Sequence, residues 1–269
     1  MGAVASVIAS RELLWNLTLR ELRTKYRRSV LGWTWSMLNP LATVAIYSFV
    51  FGVVFNAQAP VGANSDIQGF AWFLLAALLP WNFFALINNL GLTAISSNAG
   101  LVRRVAFPRE VLVFANVLHA ATQFSIEIGL LCVIFLILGS PILPWLPIVV
   151  LTGLLVAMFG AGFALALSAL AVYFRDLAYL WGILIQVWFF ATPVVYPASL
   201  IEAEAPGWLA EILKGNPMKL AVSVFRDCLY HGQAPNWAGL GVFAACAVAS
   251  LSGGWWAFLK LSRRLPEEV

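Results

Sequence analysis

Residues 15–55 read WNLTLRELRTKYRRSVLGWTWSMLNPLATVAIYSFVFGVVF. In the first half, apolar and basic side chains recur on opposite faces of a helix, which predicts an amphipathic helix lying in a membrane interface. The second half, from Trp33 to Phe55, has no ionisable side chain over 23 positions. That length crosses about 30 Å of hydrocarbon at about 1.5 Å per residue, so we expect a spanning helix there. The predicted interfacial helix places Trp15, Leu19, Leu22 and Tyr26 on its apolar face and Arg20, Arg27 and Arg28 on its basic face.

The composition of the whole chain agrees with this local pattern. Hydrophobic residues make up 62% of the sequence and charged residues 10%, against about 45–50% and about 25% in soluble proteins. These values exclude a soluble globular protein. They predict an all-α integral membrane protein, with an interfacial helix in residues 1–32 and a domain of six transmembrane helices in residues 33–269. The six apolar segments are Trp33–Phe55, Phe70–Ile95, Val111–Leu138, Leu146–Val172, Leu177–Val195 and Trp237–Leu259.

The distribution of basic residues predicts how the chain is oriented in the membrane. When the N-terminus is placed inside, 13 of the 16 Lys and Arg residues fall on the inner side. Cytoplasmic loops carry such an excess, so we expect both termini to be cytoplasmic. Because these residues flank membrane segments, the net charge of +4 does not indicate a nucleic-acid partner.

Motifs that would indicate an enzyme are absent from the sequence. It contains no phosphate-binding loop, no His-Glu-x-x-His zinc motif, no Gly-x-Ser-x-Gly nucleophile turn and no dinucleotide-binding glycine motif. The two histidines, His119 and His231, have no cluster of carboxylates near them in the sequence. We therefore expect no catalytic residue, no cofactor site and no metal site in this chain.

The third apolar segment carries a stripe of polar side chains at helical spacing. Ionisable groups at bilayer depth are costly, and they usually point into a helix bundle or a wet cavity. Two interpretations stay open for this stripe: hydrogen bonding between helices, or a wall of a transport path or a relay linked to gating. The stripe consists of Asn116, His119, Gln123 and Glu127.

Two aromatic stripes lie on the first and fifth apolar segments. Aromatic faces that also carry hydroxyl groups suit sugar rings, which stack through their apolar faces and hydrogen-bond through their hydroxyls. The alternative is ordinary helix packing together with aromatic belts at the membrane interfaces. The candidate channel-lining residues are Tyr47, Phe51 and Phe55 on the first segment and Trp181, Trp188, Thr192 and Tyr196 on the fifth.

Two loops have internal patterns of their own. The inner loop, residues 96–110, contains an amphipathic run from Leu101 to Phe107 before Pro108, which predicts a short helix that either anchors the loop through its positive charge or docks a cytoplasmic partner. The outer segment, residues 198–236, is spaced for two short amphipathic helices hinged at residues 215–217. A loop of that length with internal structure is usually functional.

Several stretches resemble the type-2 ATP-binding-cassette permeases that export polysaccharides, such as the O-antigen, capsule, teichoic-acid and galactan exporters. The resemblance covers nearly the whole chain in order and topology, but the intervening spans match only in hydrophobic pattern. The matching stretches are RELRTKYRRSVLG at 20–32, LNPL at 38–41, NAGLVRRVAFPR at 98–109, YFRD at 173–176, NPM at 216–218 and FRD at 225–227.

The resemblance implies a function and a set of partners. In that family a homodimer of six-span permeases in the bacterial plasma membrane pairs with two copies of a cytoplasmic ATPase, which holds ATP and magnesium. A lipid-linked glycan passes outward between the permeases, here between spans one, two and five, while membrane lipids hold the interfacial helix. The residues implied for ATPase coupling are Leu101, Val102, Arg103, Arg104, Phe107 and Arg109, and those implied for the outer gate are Trp208, Asn216, Pro217, Phe225 and Arg226.

Three other functions remain open from the sequence. A type-2 permease for a drug or another small amphipathic molecule would share most of these features. A membrane-embedded transferase acting on lipid-linked sugars should show a pair of loop carboxylates or a metal motif, which the scattered Asp66, Glu202, Glu204 and Glu211 do not supply convincingly. A scaffold without a transport role would not need both a cationic interfacial helix and a docking-like inner loop.

Overall fold

The computed structural model of the chain describes residues 10–25, 32, 34–55, 59–105, 107–174, 176–199, 206–207 and 213–262. Within these ranges the regular structure is helical, and no strand occurs. The helices are α1 (Arg11–Lys25), α2 (Thr34–Tyr47), α3 (Phe70–Thr93), α4 (Ala99–Arg104), α5 (Glu110–Ile137), α6 (Leu146–Tyr173), α7 (Leu177–Ala191), α8 (Pro217–Phe225) and α9 (Trp237–Leu261). Short helices of other types adjoin them: π-helical Ser48–Val54 after α2 and Arg226–Tyr230 after α8, and 3₁₀ turns Ser96–Asn98 before α4 and Leu143–Trp145 before α6.

Four of the described helices are long and apolar enough to cross a membrane. They are α3, α5, α6 with its preceding turn, and α9. The apolar helices Pro40–Val54 and Leu177–Ala191 are shorter, and they fall within the first and fifth of the six predicted segments. Four candidate spans are therefore present by length and composition, and the count of six stays a prediction.

The fifth segment ends as a helix earlier than its apolar run. Helix α7 stops at Ala191, and Thr192 has extended backbone angles (φ −101°, ψ 130°). The next residue is Pro193, which has no N–H and disfavours helical angles in the residue before it. The apolar segment runs to Val195, but its prolines predict that the helix breaks within residues 191–197, and the helix ends at Ala191, the first residue of that range.

Helix α6 lies at the centre of the bundle. It packs along α3 and α9 and also contacts α5, α7 and α8. Small residues allow these close approaches, because a Cβ on Gly91 of α3 would lie 2.4 Å from the Cβ of Ala164. Ala161, Ala164 and Ser168 are buried in the same helix, so its small residues serve packing.

The loops gather at two opposite ends of the bundle. At one end, here called the outer end, residues 59–69, 138–145 and 226–236 contact each other, for example through the hydrogen bond from Ser140 Oγ to the Leu229 carbonyl (2.9 Å). At the other end, the inner end, α1 and the last turn of α9 lie beside residues 96–110. Both ends of the described chain are thus at the inner end.

Candidate functional site

The loop between α3 and α5 forms the short helix that the sequence predicts. Val102 is buried and anchors α4, while Arg103 and Arg104 are exposed at its C-terminal end. The helix ends at Arg104 and not at Phe107, because Val105 has extended angles (φ −128°, ψ 133°). Pro108 restricts Phe107 as well, so the last part of the predicted helix is wrong. Leu101 and Phe107 are half-buried against the core of the bundle.

Arg109 connects this loop to the end of the chain's last helix. Its Nη1 donates a hydrogen bond to the Ser262 carbonyl (2.6 Å), and the Tyr173 hydroxyl donates to the neighbouring Leu261 carbonyl (2.9 Å). Carbonyls at a helix C-terminus lack partners within the helix, and a cation there is favourable. Arg109 therefore fastens the inner loop to α9, and its contact with an ATPase stays a prediction.

Helix α1 has a face that packs against the protein, which its sequence pattern does not indicate. Leu17 and Thr18 are buried where α1 packs against α5, whereas Leu19 and Leu22 are half-buried and Trp15 is 61% exposed. The helix thus rests on the protein through one side and presents the tryptophan on another. Tyr26, Arg27 and Arg28 lie outside the described residues.

One basic residue of α1 reaches the inner loop. Arg20 Nη2 donates to Asn98 Oδ1 (2.6 Å) and also pairs with Glu21 Oε1 (2.7 Å). Asn98 directly precedes α4, so the interfacial helix and the predicted coupling helix are joined by a side-chain hydrogen bond. An exposed contact of this kind contributes little to stability, but it can fix the relative position of the two helices.

The polar stripe of α5 lies inside the bundle. Asn116 Nδ2 donates to the Leu90 carbonyl of α3 (3.0 Å), and Gln123 Nε2 donates to Glu127 Oε1 (2.8 Å). Asn116, His119 and Glu127 are all buried. The bond from Asn116 to α3 favours the interpretation of hydrogen bonding between helices, and a role in transport stays a prediction.

The aromatic stripe of α2 faces two neighbouring elements of the same chain. Tyr47 stacks on Phe189 of α7 with ring centroids 6.5 Å apart, and Phe51 stacks on Phe70 at 5.7 Å. Phe55, at the end of the stripe, is 68% exposed. The first two contacts favour packing, although the exposed ring leaves the outer end of the stripe accessible.

The stripe of α7 is buried more deeply than a channel lining requires. Trp181 and Thr192 are buried, and Trp188 lies in an aromatic cluster that includes Phe84 (centroids 5.1 Å apart) and Phe163 (5.5 Å). Tyr196 is half-buried and donates to the Phe190 carbonyl. Burial within one chain favours the packing interpretation for Trp181 and Thr192, and channel lining stays a prediction.

Trp188 also borders an apolar groove between α6 and α9. The groove has a volume of 560 Å³. Pro217, the first residue of α8, borders the same groove, so a predicted gate residue and a predicted lining residue meet there. The groove is otherwise bordered by Phe159, Gly162, Phe163, Ala166, Cys246, Ala249, Ser250, Gly253 and Gly254.

Asn216 is a buried junction and not a free hinge. Its Oδ1 accepts from the Trp188 indole N–H (2.9 Å) and from the backbone N–H of Met218 (3.0 Å), which caps α8. Its Nδ2 donates to Thr192 Oγ1 (2.9 Å) and to the Ala191 carbonyl (3.2 Å). The predicted hinge at residues 215–217 is therefore braced against the end of α7.

Arg226 is the second buried junction of the outer segment. Its guanidinium donates to the carbonyls of Pro193 and Val194, both at 2.5 Å, and lies 3.7 Å from the ring centroid of Phe73. Burial lowers the pKa of Arg226 to about 9, so the group still carries its charge at neutral pH. Phe225 beside it is fully buried, and Trp208 lies outside the described residues.

The remaining outer loops close around the same segment. The Tyr230 hydroxyl donates to the Pro60 carbonyl (2.8 Å), and the backbone N–H of Asn64 donates to the His231 carbonyl (2.9 Å). His231 Nδ1 accepts from the Ala63 N–H at 3.4 Å. The first outer loop is thus held down on the segment that follows α8.

No metal site is evident in the part of the chain that the structure describes, where no three His, Cys, Asp or Glu side chains lie close enough to hold an ion. The described residues bind and position other groups of the chain. At the outer end, buried side-chain donors hydrogen-bond to backbone carbonyls around Pro193. At the inner end, basic side chains are exposed on a short helix.

Comparison with known proteins places these features in a family. Residues 12–230 match the family described as ABC-2 type transporter. The chain is 34% identical to the O-antigen export system permease protein RfbA of Myxococcus xanthus, covering 90% of this chain and 89% of that protein. It is 28% identical to the protein of the same name from Klebsiella pneumoniae, over 95% and 94% of the two chains. It is 25% identical to the polysialic acid transport protein KpsM of Escherichia coli, over 87% and 88%. The chain therefore belongs to the ABC-2 type transporter family of membrane proteins.

Proposed function

We propose that this protein is the permease subunit of an ATP-driven exporter that moves a lipid-linked polysaccharide across the bacterial plasma membrane. The observation that carries the proposal is similarity along nearly the full chain to permeases whose names specify O-antigen export and polysialic acid transport. The buried junctions and the inner helix described above lie within the part that matches the family. The cargo assigned to the relatives is a glycan in each case.

The proposed topology has six spans and two cytoplasmic termini. Helix α2 continues into the π-helical Ser48–Val54, which extends its apolar run, and α7 continues into buried non-helical residues up to Val195. Each of these elements can cross the hydrocarbon together with its extension. The contacts of α1 and the end of α9 with the inner loop support two termini on one side, and the excess of basic residues there supports the cytoplasm as that side.

The proposed assembly is a homodimer with two copies of a separate ATPase, which binds ATP and magnesium. Helices α2 and α7 expose apolar faces that include Ile46, Phe49 and Ile183, and these supply surface for a second copy or for lipid. At the inner end, the exposed guanidinium groups of Arg103 and Arg104 suit acidic or polar groups on the ATPase. The glycan would pass between the two copies, beside α2, α3 and α7.

The test uses a strain that lacks this gene and measures surface glycan together with co-purification of the ATPase. Wild-type protein restores both. The double variant R103E/R104E reverses the charge at the end of α4, so we expect co-purification and surface glycan to fall about tenfold or more, corresponding to about 1.4 kcal/mol of lost binding. The matched variant R103K/R104K keeps the charge and retains most of both signals.

Three results would contradict the proposal. Normal surface glycan in the deletion strain would show that this glycan is not the cargo of the protein. Full co-purification of R103E/R104E with the ATPase would show that α4 does not dock the ATPase. Sugar modification by the purified chain alone would instead identify a transferase.

A further inference from the structure

The outer end of α7 is held by two side chains that come from another part of the chain. Asn216 binds the Ala191 carbonyl and the Thr192 hydroxyl, and Arg226 binds the Pro193 and Val194 carbonyls. The Ala191 carbonyl lies in the last turn of α7 and has no helical partner, and the Pro193 and Val194 carbonyls lie in the non-helical residues that follow. Asn216 and Arg226 supply donors to these carbonyls, so the end of α7 is fixed where its own backbone bonding stops.

Helix α8, which adjoins both donor residues, is held in place by its packing in the bundle. Helix α8 is buried through Met218, Ala221 and Phe225 and packs against α3 and α9. Arg226 also donates from Nε to the Phe73 carbonyl (3.4 Å) of α3 while its guanidinium covers the Phe73 ring. Hydrogen bonds to charged groups contribute about 1.5–3 kcal/mol each, so the outer end of α7 is joined to the centre of the bundle.

The inner part of α7 has much weaker support. Within α7 only Trp181 and Phe189 are buried, and Phe189 belongs to the outer end. Tyr179 is 79% exposed, and Leu180, Ile183 and Leu184 are also exposed. A helix with one buried side chain along its inner two-thirds can change position there at little cost in packing within its own chain.

A pair of buried polar atoms lies at this inner contact. Among the described residues, the Trp181 indole N–H and Asn88 Oδ1 are buried and have no hydrogen-bond partner. Trp181 belongs to one apolar cluster with Leu92 of α3 and Leu167 of α6, and Asn88 lies one turn from Leu92 on the same helix. A buried polar atom without a partner costs about 1–3 kcal/mol. One atom is a donor and the other an acceptor, so a movement of α7 that brought them within hydrogen-bond distance would be favourable.

We propose that Asn216 and Arg226 are positioning residues that fix the outer end of α7, so that α7 moves mainly at its inner end during the transport cycle. The inference rests on the proposed function, because it assigns this movement to an ATP-driven cycle. It places the moving end beside the inner loop, where the ATPase would act. The described residues 213–230 of the outer segment then serve as a fixed point and not as a swinging lid.

The geometry gives a numerical expectation. At about 1.5 Å per residue, Tyr179 lies about 20 Å along the chain from Thr192, and Phe190 lies about 3 Å from it. A rigid rotation about Thr192 therefore moves Tyr179 roughly six times as far as Phe190. A translation of the whole helix would move both by the same amount.

The experiment measures two distances by pulsed electron paramagnetic resonance in the complex with its ATPase, in lipid nanodiscs. One label pair, at Tyr179 and Trp256, reports the inner end, and the other, at Phe190 and Val242, reports the outer end. All four side chains are exposed. Labels carried by unnatural amino acids leave the native cysteines in place, and labelled subunits diluted with unlabelled ones remove distances between the two copies. Spectra are recorded without nucleotide, with ATP and with a non-hydrolysable ATP analogue.

Two variants remove the proposed fixed point. N216D keeps the acceptor for Trp188 and for the α8 cap but loses the N–H donors to Ala191 and Thr192, and R226K loses the forked geometry that binds two carbonyls. The matched control is N64D, because Asn64 is also an outer-end amide that donates to a carbonyl, that of Gly232 (3.3 Å), without touching α7.

The expected result has two parts. In wild type and N64D, nucleotide shifts the inner distance by several ångströms while the outer distance stays nearly constant. In N216D and R226K the outer distance shifts as well, the ratio of the two shifts falls towards one, and export per ATP hydrolysed drops although the ATPase still co-purifies. If R226K does not accumulate in the membrane, N216D alone decides.

The inference is overturned if the outer pair of the wild type shifts as far as the inner pair, or if N216D and R226K leave the ratio of shifts at the wild-type value. These outcomes differ from failure of the proposed function, in which the chain does not assemble with an ATPase or the assembled complex exports no glycan.

Discussion

The contact between α6 and α9 leaves no room for a methyl group, and this gives a sharp test of the packing. A Cβ added at Gly254 would lie 1.9 Å from the Gly162 carbonyl oxygen, and one added at Gly162 would lie 2.2 Å from the Ser250 carbonyl oxygen. Both obstacles are backbone atoms, which cannot rotate away. The neighbouring Gly253 faces open space within 4 Å. The variants G254A and G253A therefore make the same chemical change on the same turn of α9, with different surroundings.

The expected magnitude follows from that geometry. Relief of the clash in G254A requires α9 to move away from α6 by about 1.5 Å, which loosens the most extensive helix–helix contact among the described elements and strains the hydrogen bond from Ser250 Oγ to the Phe159 carbonyl (2.8 Å). Overpacking of this kind costs about 1–3 kcal/mol. The gain in helix propensity from Gly to Ala, up to about 1 kcal/mol, is the same in both variants and cancels in their difference.

The assay is thermal unfolding of the purified protein in one lipid or detergent condition, followed by tryptophan fluorescence. We expect G254A to melt about 2–12 °C below G253A, since about 1 kcal/mol corresponds to about 2–4 °C in a chain of this size. The level of folded protein in the membrane should fall in the same order. Equal melting temperatures for G254A and G253A would refute the inferred backbone contact.

Three further predictions follow from single contacts. W188F keeps an aromatic ring but removes the N–H that donates to Asn216 Oδ1, so the free energy of unfolding should fall by about 1 kcal/mol. A melting temperature equal to that of the wild type would mean that this hydrogen bond contributes nothing to stability. W181F removes a buried donor without a partner, so it should match or exceed wild-type stability while reducing the nucleotide-dependent shift of α7 measured by the inner label pair; a clear loss of stability would contradict this. Burial lowers the pKa of His231 below its ordinary 6.5, so the folded protein favours the neutral imidazole. The stabilisation that the neutral ring contributes to the fold is complete above pH 6.5 and is lost as the pH falls through the lowered pKa. Protease cleavage of the first outer loop in reconstituted vesicles should therefore increase in wild type as the pH falls below 6.5. Cleavage of H231Q should not depend on pH in this way, and equal pH profiles would contradict the role of the ring.

The helices could be predicted from the sequence because the membrane imposes a strong local pattern. Apolar runs placed α6 and α7 with their first residues correct, Leu146 and Leu177, and the basic residues grouped the loops that the structure brings together at the inner end. Helix ends were less accurate. Val105 leaves the helical conformation earlier than the amphipathic pattern suggests, and the apolar run after Ala191 continues although Pro193 has already ended the helix.

The contacts of the site could be predicted only in part. Family resemblance drew attention to Asn216 and Arg226, but not to the groups that they bind, because pairs such as Arg226 with Val194 or Arg20 with Asn98 depend on how separate helices align. A signal was available for Arg226, since a lone arginine in an apolar segment needs acceptors and a proline frees carbonyls nearby. For Thr18, which faces α5, no signal distinguished the protein side of α1 from the lipid side.

In the described residues 59–69 of the first outer loop, two polar side chains bind the chain itself. Asn64 and Ser65 bind backbone carbonyls at 230–232, and Tyr230 returns a bond to Pro60. These two side chains are held in contacts within the chain, so we expect them to contribute little to the recognition of a cargo. In chimeras between exporters of different glycans, this loop should be exchangeable only together with residues 226–232, and the exchange should leave cargo preference unchanged.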